Sequence, residues 1–136
     1  MTKTAINLLL KKDSINVNLI ELKGYNRQEV NFLMNAVDCL LVTSLKESGP
    51  LVIKEAMAVN KPAVSVDVGD VSEMYGMLEG YYLSTYGPQD ISEKIKLALD
   101  FSHKTKGRDR IVEMGLDSKI VAQKIKCIYQ HVLSSA

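Results

Sequence analysis

This chain of 136 residues has few cysteines, no tryptophan and almost no excess of charge of either sign. Tryptophan is absent, and the only cysteines, Cys39 and Cys127, lie far apart in the sequence. Two such cysteines predict neither a disulfide framework nor a zinc site, so a reducing, cytoplasmic setting is the simplest interpretation. The 17 basic residues nearly balance the 16 acidic ones, so no overall positive field would attract nucleic acid.

Long apolar runs are missing as well. The uncharged apolar stretches extend over only a few residues, as in 39–42, which is too short to span a bilayer. The start of the chain has no small-residue cleavage site and is not typical of a signal peptide. An ordinary globular mixture remains, 46% apolar and 24% charged, in a length that suits one domain.

Short apolar segments alternate with segments of helical periodicity. The predicted strands are residues 15–22, 39–43, 63–67 and 80–84. Seven helices are predicted. The first ends near 11–13, the second covers 27–37 and the third covers 50–59. A short helix follows Asp70, another follows Pro88, a sixth ends at Gly115, and the last begins at Asp117 or Ser118. Apolar strands between helices favour a parallel sheet covered on both faces. The predicted fold is an α/β, Rossmann-like three-layer domain with a mainly parallel sheet of about four strands and a helical carboxyl-terminal region.

Loop 44–50 should lie at the carboxyl ends of the strands, where such sheets bind ligands. Glu47 in this loop lies eight residues before Glu55, which falls in the second turn of the next helix. A carboxylate can accept hydrogen bonds from the paired hydroxyls of a sugar or a ribose. On spacing alone, however, two solvated or capping glutamates are the favoured interpretation.

The same loop leads into a helix whose start predicts an anion site. Pro50 suits the first helical position because its φ is fixed and it has no N–H. The N–H groups of Leu51 and Val52 then open the helix, where unpaired donors and the positive end of the macrodipole attract anions. Ser48 and Gly49 leave the backbone approachable. An anion cradle beside hydroxyl-binding carboxylates is the chemistry of nucleotide-sugar binding.

Longer segments resemble the carboxyl-terminal domain of the family-4 retaining glycosyltransferases, which have the GT-B fold. The segments are 25–38, 40–44, 47–58, 61–65 and 68–73, including Glu-x7-Glu followed by Ala-Met-Ala, and then Val-Gly-x-x-x-Glu. The resemblance extends over roughly residues 5–133. It implies transfer of a glycosyl group from a nucleoside diphosphate sugar to an acceptor with retention of configuration, in glycan or polysaccharide synthesis.

The resemblance also implies a role for individual residues. Glu47 matches the glutamate that contacts the donor sugar, and Glu55 matches the one that holds the ribose hydroxyls. Tyr25 matches a position that often borders the nucleobase. The stretch whose backbone meets the sugar and the diphosphate is matched by Ser48, Gly49, Pro50 and Leu51, with Val52 following. The family needs no metal, and we expect no cofactor besides the donor substrate.

The chain departs from the family pattern in two respects. Asp70 stands where many members have a second glycine, which would narrow the space near the diphosphate; with Glu73 it resembles a capping box. The family's phosphate-clamping arginine and lysine follow a first strand, and this chain begins after that point. We therefore expect 1–136 to be a single, amino-terminally truncated nucleotide-sugar-binding domain, lacking the acceptor-binding domain and inactive alone.

These departures lead to expectations about partners. A missing first strand would leave an unpaired strand edge, through which copies of the chain can associate. Because family members often act at membranes, the full enzyme is a candidate for peripheral membrane association, although the basic tract 103–110 is interpreted as a solvated connection between helices.

The alternative function is a non-catalytic, self-associating or partner-binding remnant of such a domain. A receiver-like regulator is disfavoured because Glu21 and Asp38 do not form an acidic pocket.

Overall fold

The computed structural model describes residues 2–135, in which helices and parallel strands alternate. Apolar runs flanked by glycine or proline form the strands, and segments of helical periodicity form the helices. In chain order the elements are α1 (Thr2–Asp13), α2 (Arg27–Ala36), β1 (Leu40–Val42), α3 (Leu51–Ala58), β2 (Ala63–Val66), α4 (Val71–Tyr75), β3 (Tyr81–Ser84), α5 (Pro88–Asp100), α6 (Gly107–Glu113) and α7 (Ser118–Ser134).

The described sheet has the strand order β1-β2-β3, and all its strands run parallel. Leu40 is in register with Ala63, and Ala63 with Tyr81, so the strands begin level with one another. Every residue of the middle strand β2 is buried, as expected where helices cover both faces. The carboxyl ends of the strands therefore meet at one edge, where the loops that precede α3, α4 and α5 begin.

Two apolar cores lie on opposite faces of this sheet. Along β1, Leu40 and Val42 belong to the larger core and Leu41 packs against the smaller one, as the alternation of side chains in a strand requires. Helices α2, α3, α4 and α6 contribute to the larger core, including Met34, Ile53, Met57, Val71 and Ile111. Helices α1 and α5 form the smaller core through Ala5, Leu9, Ile91, Ile95 and Ala98. The predicted three-layer α/β fold is confirmed.

Residues 15–22 contain neither helix nor strand, so the strand predicted there is wrong. Ile15 and Val17 pack against the smaller core, but the apolar residues that follow are between 39% and 47% exposed, namely Leu19, Ile20 and Leu22. A strand is stabilised by ladder hydrogen bonds to a neighbour, and no described strand pairs with this segment. The described sheet has three strands rather than about four.

Helix α2 begins with a capping box that the sequence analysis did not predict. The Asn26 side-chain oxygen accepts hydrogen bonds from the N–H groups of Gln28 and Glu29 at 2.9 and 3.0 Å. The Glu29 carboxylate accepts the Asn26 N–H at 2.7 Å. Both ends of the box are therefore satisfied, which fixes where α2 starts beside α3.

Helix α7 is capped as predicted but lies at the surface. The Asp117 carboxylate accepts the N–H groups of Lys119 and Ile120 at 3.0 and 3.2 Å. No side chain of α7 is buried by the part of the chain that the structure describes. Its apolar stripe is therefore exposed to solvent and consists of Val121, Ile125, Ile128 and Val132. Among residues 2–135, no helix combines the length and apolarity needed to cross a membrane.

The two cysteines provide a test of the packing beside β1. Burial, reinforced by the neighbouring Asp38 carboxylate, raises the pKa of the Cys39 thiol to about 11, although Lys61 opposes this shift. Cys127 is exposed on α7. Because the thiolate is the nucleophile, we expect Cys39 to react with Ellman's reagent at pH 8 about tenfold more slowly than Cys127, or slower still. Single Cys→Ser variants assign the two phases, and equal rates in the folded protein would contradict the burial of Cys39.

Candidate functional site

The first loop at the carboxyl edge of the sheet joins β1 to α3 and contains most of the predicted site residues. Pro50 was predicted at the first position of the helix, but the helix begins one residue later, at Leu51, and Pro50 precedes it. Pro50 is buried. Among the described residues, no side chain caps α3. The Ile53 N–H already donates to the Pro50 carbonyl at 3.1 Å, whereas the N–H groups of Leu51 and Val52 lie at the helix start, which has no intrahelical acceptors. These two N–H groups are the donors that the predicted anion cradle requires.

The residues of this loop that precede Pro50 are held by few polar contacts. Glu47 and Ser48 are exposed, and Leu51 just inside the helix is 67% exposed. Val52 instead packs against the larger core. Residues 45–49 form no hydrogen bond with any other described residue. The Glu47 carboxylate is thus not engaged elsewhere in the described chain and can meet a ligand.

Glu55 opens on a groove of about 500 Å³ between α2 and α3. Helix α2 adds polar lining residues, namely Arg27, Gln28 and Asn31. The apolar lining residues are Val30, Met34, Ala58 and Val59. The groove therefore combines one carboxylate, one guanidinium and apolar side chains, a composition that suits a ligand with a flat ring and polar edges, such as a nucleoside.

Tyr25 is two residues before Arg27, which lines the groove, but Tyr25 itself is not a lining residue. It immediately precedes Asn26, the residue that caps α2, and its side chain is 44% exposed. The structure thus brings Glu55 together with α2, while Tyr25 remains outside the set of lining residues. Arg27 and Asn31, which the sequence analysis did not single out, line it instead.

A second loop, between β2 and α4, touches the first one. Gly69 has a φ of +58°, and a Cβ atom there would lie 2.8 Å from the carbonyl carbon and oxygen of Ser48. Next to it, the Asp70 carboxylate accepts a hydrogen bond from Lys54 of α3 at 2.7 Å. The second loop therefore lies against the backbone of the first at Ser48, and Asp70 follows directly in that loop.

The capping box predicted for Asp70 and Glu73 is wrong. Asp70 does occupy the position before α4, but its side chain makes no capping hydrogen bond, and Glu73 is exposed. The Asp70 carboxylate is directed to the Lys54 ammonium, which offers a charge-assisted hydrogen bond. Asp70 thus binds Lys54 of α3 instead of the N–H groups at the start of its own helix.

The third loop, between β3 and α5, is fastened to the first by a hydrogen bond that the sequence did not predict. The Tyr86 hydroxyl donates to the Ser44 carbonyl at 3.1 Å. Within the third loop, the Thr85 N–H donates to the Asp90 carboxylate at 2.6 Å. This bond is the main cause that lowers the pKa of Asp90 below its ordinary value. All three loops are therefore tied into one surface at the strand ends.

This surface can hold a ligand with three kinds of group. The start of α3 can accept an anion, the carboxylates of Glu47 and Glu55 can accept hydrogen bonds from hydroxyls, and the groove beside Glu55 can take a ring. Within residues 2–135, no group of three or more His, Cys, Asp or Glu side chains is arranged to hold a metal ion.

Comparison with known families places most of the chain in one of them. A family model described as "Glycosyl transferases group 1" matches residues 3–115, which covers the described strands and, apart from Thr2, the helices from α1 to α6. Searches of curated proteins and of solved structures give no significant match. Since the matched segment includes most of the chain, the protein belongs to the group 1 glycosyltransferases, as a domain of the carboxyl-terminal GT-B type.

Proposed function

We propose that this domain binds a nucleoside diphosphate sugar as the donor for retaining transfer of a glycosyl group in glycan or polysaccharide synthesis. The observation that carries the proposal is the position of Glu55, on a groove beside an uncapped helix start. Family membership supports a transferase, and the site chemistry supports this class of donor. The proposal includes a cytoplasmic setting and no metal, as expected from the sequence.

The spacing along α3 suits the nucleoside diphosphate part of such a donor. Glu55 lies one helical turn after Leu51, about 6 Å along the axis. A diphosphate at the N–H groups of Leu51 and Val52 would therefore place the attached ribose within reach of the Glu55 carboxylate. The base would then enter the groove, where the side chains of Arg27 and Asn31 offer hydrogen bonds.

The sugar would extend in the opposite direction, toward residues 45–50, which we name the donor loop. Glu47 is exposed in this loop and can accept hydrogen bonds from sugar hydroxyls. We assign Glu47 the catalytic contact because a carboxylate near the anomeric carbon can stabilise positive charge that develops there. Holding donor and acceptor together supplies much of the rate enhancement, so we expect donor binding without turnover when acceptor contacts are lacking.

A titration of the 15N-labelled chain with UDP, GDP and ADP tests donor binding. We expect one of them to shift the amide signals of 47–55 and of 27–31, with an affinity in roughly the millimolar range. Inorganic diphosphate serves as a control, because it should shift the start of α3 and leave 27–31 unchanged. If none of the nucleotides shifts 47–55, the chain does not bind a donor by itself.

The second candidate function is an interaction module without donor binding. The exposed apolar stripe of α7 favours it, since apolar surface of this kind often marks a contact with another molecule. Concentration-dependent association in analytical ultracentrifugation, together with no nucleotide response in the titration, would select this candidate. A monomer that responds to a nucleotide would select donor binding.

A further inference from the structure

The donor loop lies against an ion pair that neither the family match nor the sequence pattern assigns to the site. The Lys54 ammonium on α3 donates to the Asp70 carboxylate at 2.7 Å, and the two side chains are 26% and 34% exposed. The other described ion pairs lie elsewhere, one between α5 and α1 and one along α6. The Lys54–Asp70 pair is thus the one that joins α3 to the second loop.

The pair lies close to Gly49, where it occupies the space next to a side-chain position. A Cβ atom at Gly49 would lie 3.2 and 3.3 Å from the two Asp70 carboxylate oxygens and 3.3 Å from the Lys54 nitrogen. A Cβ atom at Gly69 would likewise lie 2.8 Å from the backbone of Ser48. Residues 48 and 49 therefore lie against residues 69 and 70, with the ion pair beside Gly49.

These contacts matter because the donor loop has little else to hold it. Its residues 45–49 form no hydrogen bond with the rest of the described chain. A loop without such bonds samples several positions unless packing restricts it. Its position at Gly49 therefore depends on a second loop that the Lys54–Asp70 pair fastens to α3.

The charge of Asp70 gives the pair a second effect. One of the carboxylate oxygens, Oδ1, is buried and has no hydrogen-bond donor among the described residues. This carboxylate lies beside the helix start proposed to bind a diphosphate, and two anions close together repel each other. Lys54 neutralises Asp70, so removal of Lys54 alone would leave an uncompensated negative charge near the phosphates.

We propose that Lys54 and Asp70 are a positioning pair for the donor loop. They hold the second loop against Ser48 and Gly49, and Lys54 cancels the charge of Asp70 beside the phosphate-binding helix start. The effect on ligand affinity rests on the donor binding proposed above. The ordering of the donor loop does not depend on it and is measured without ligand.

The ligand-free experiment compares Lys54→Met and Asp70→Asn with the conservative variant Lys54→Arg. We expect the backbone NMR order parameters of residues 46–49 to fall from about 0.85 to about 0.6 or lower in the first two variants and to change little in Lys54→Arg, which keeps an ion pair. Lys96→Met is the matched control, because it breaks the Lys96–Asp13 pair between α5 and α1, away from the loop. Unchanged order parameters of 46–49 in both Lys54→Met and Asp70→Asn overturn the proposal.

The ligand experiment uses the nucleoside diphosphate that binds the original chain most tightly among UDP, GDP and ADP. We expect Lys54→Met to weaken its affinity about tenfold, Lys54→Arg less than threefold, and the double variant Lys54→Met/Asp70→Asn to recover part of the loss by removing the carboxylate. Lower loop order parameters with unchanged affinity would overturn the role of the pair in binding. If no nucleotide binds the original chain, donor binding fails, and the order parameters still decide whether the pair positions the loop.

Discussion

Replacing Gly69 with alanine should lower the free energy of unfolding by about 2–5 kcal/mol, since a left-handed backbone costs an L-residue about 1–2 kcal/mol and overpacking adds about 1–3 kcal/mol. Both causes apply at this position. The φ of Gly69 is +58°, and an added Cβ would lie 2.8 Å from backbone atoms of Ser48, which cannot rotate away as a side chain can. The new methyl group must therefore push the two loops apart.

Gly24→Ala separates the two causes. Gly24 has a φ of +79°, but a Cβ there would meet no atom within 4 Å, so this variant carries only the cost of the backbone conformation. Urea denaturation of both variants measures the difference, which we expect to be about 1–3 kcal/mol. Equal losses of stability would show that the contact between the loops is not maintained in solution. Amide shifts confined to residues 46–49 in Gly69→Ala would locate the displacement in the donor loop.

The three strands of the sheet were predictable because the sequence pattern of each strand is local. The segments that became β1, β2 and β3 are short apolar runs bounded by turn residues, and each forms a strand within a residue or two of its predicted limits. Residues 15–22 have a comparable pattern and yet form no strand. Pairing depends on which neighbour is available in space, and the composition of a single segment does not contain that information.

In the candidate site, too, the positions set by local sequence were predictable and the contacts between distant elements were not. The Glu-x7-Glu spacing locates Glu47 in the loop and Glu55 in the second turn of α3, because both positions follow from where one helix begins. The partners of these residues come from other elements. Arg27 reaches the groove through the packing of α2 on α3, and Lys54 meets Asp70 across 16 positions of sequence. At Asp70 the local pattern even predicted the wrong partner, because the Lys54 ammonium that Asp70 binds comes from another element and is not visible in the spacing around Asp70.

Glu55→Gln should weaken binding of the preferred nucleoside diphosphate at least tenfold, since hydrogen bonds to a charged group contribute about 1.5–3 kcal/mol each. The substitution keeps the shape of the side chain and removes its charge. We expect little change in stability, because Glu55 is part-exposed on the groove and belongs to no described ion pair. Glu93→Gln is the matched control, as Glu93 is an exposed glutamate on α5, a helix that packs on the opposite face of the sheet.

A 2′,3′-dideoxy analogue of the same nucleotide shows whether the lost contact is the ribose contact. If Glu55 holds the ribose hydroxyls, the original chain should bind the analogue about tenfold more weakly, and Glu55→Gln should bind both nucleotides alike. The two losses would then be non-additive, as expected when the substitution and the missing hydroxyls remove the same hydrogen bonds. Additive losses would show that Glu55 contacts another part of the ligand. Unchanged affinity in Glu55→Gln, with full loss in Glu47→Gln, would place the nucleoside outside the groove between α2 and α3.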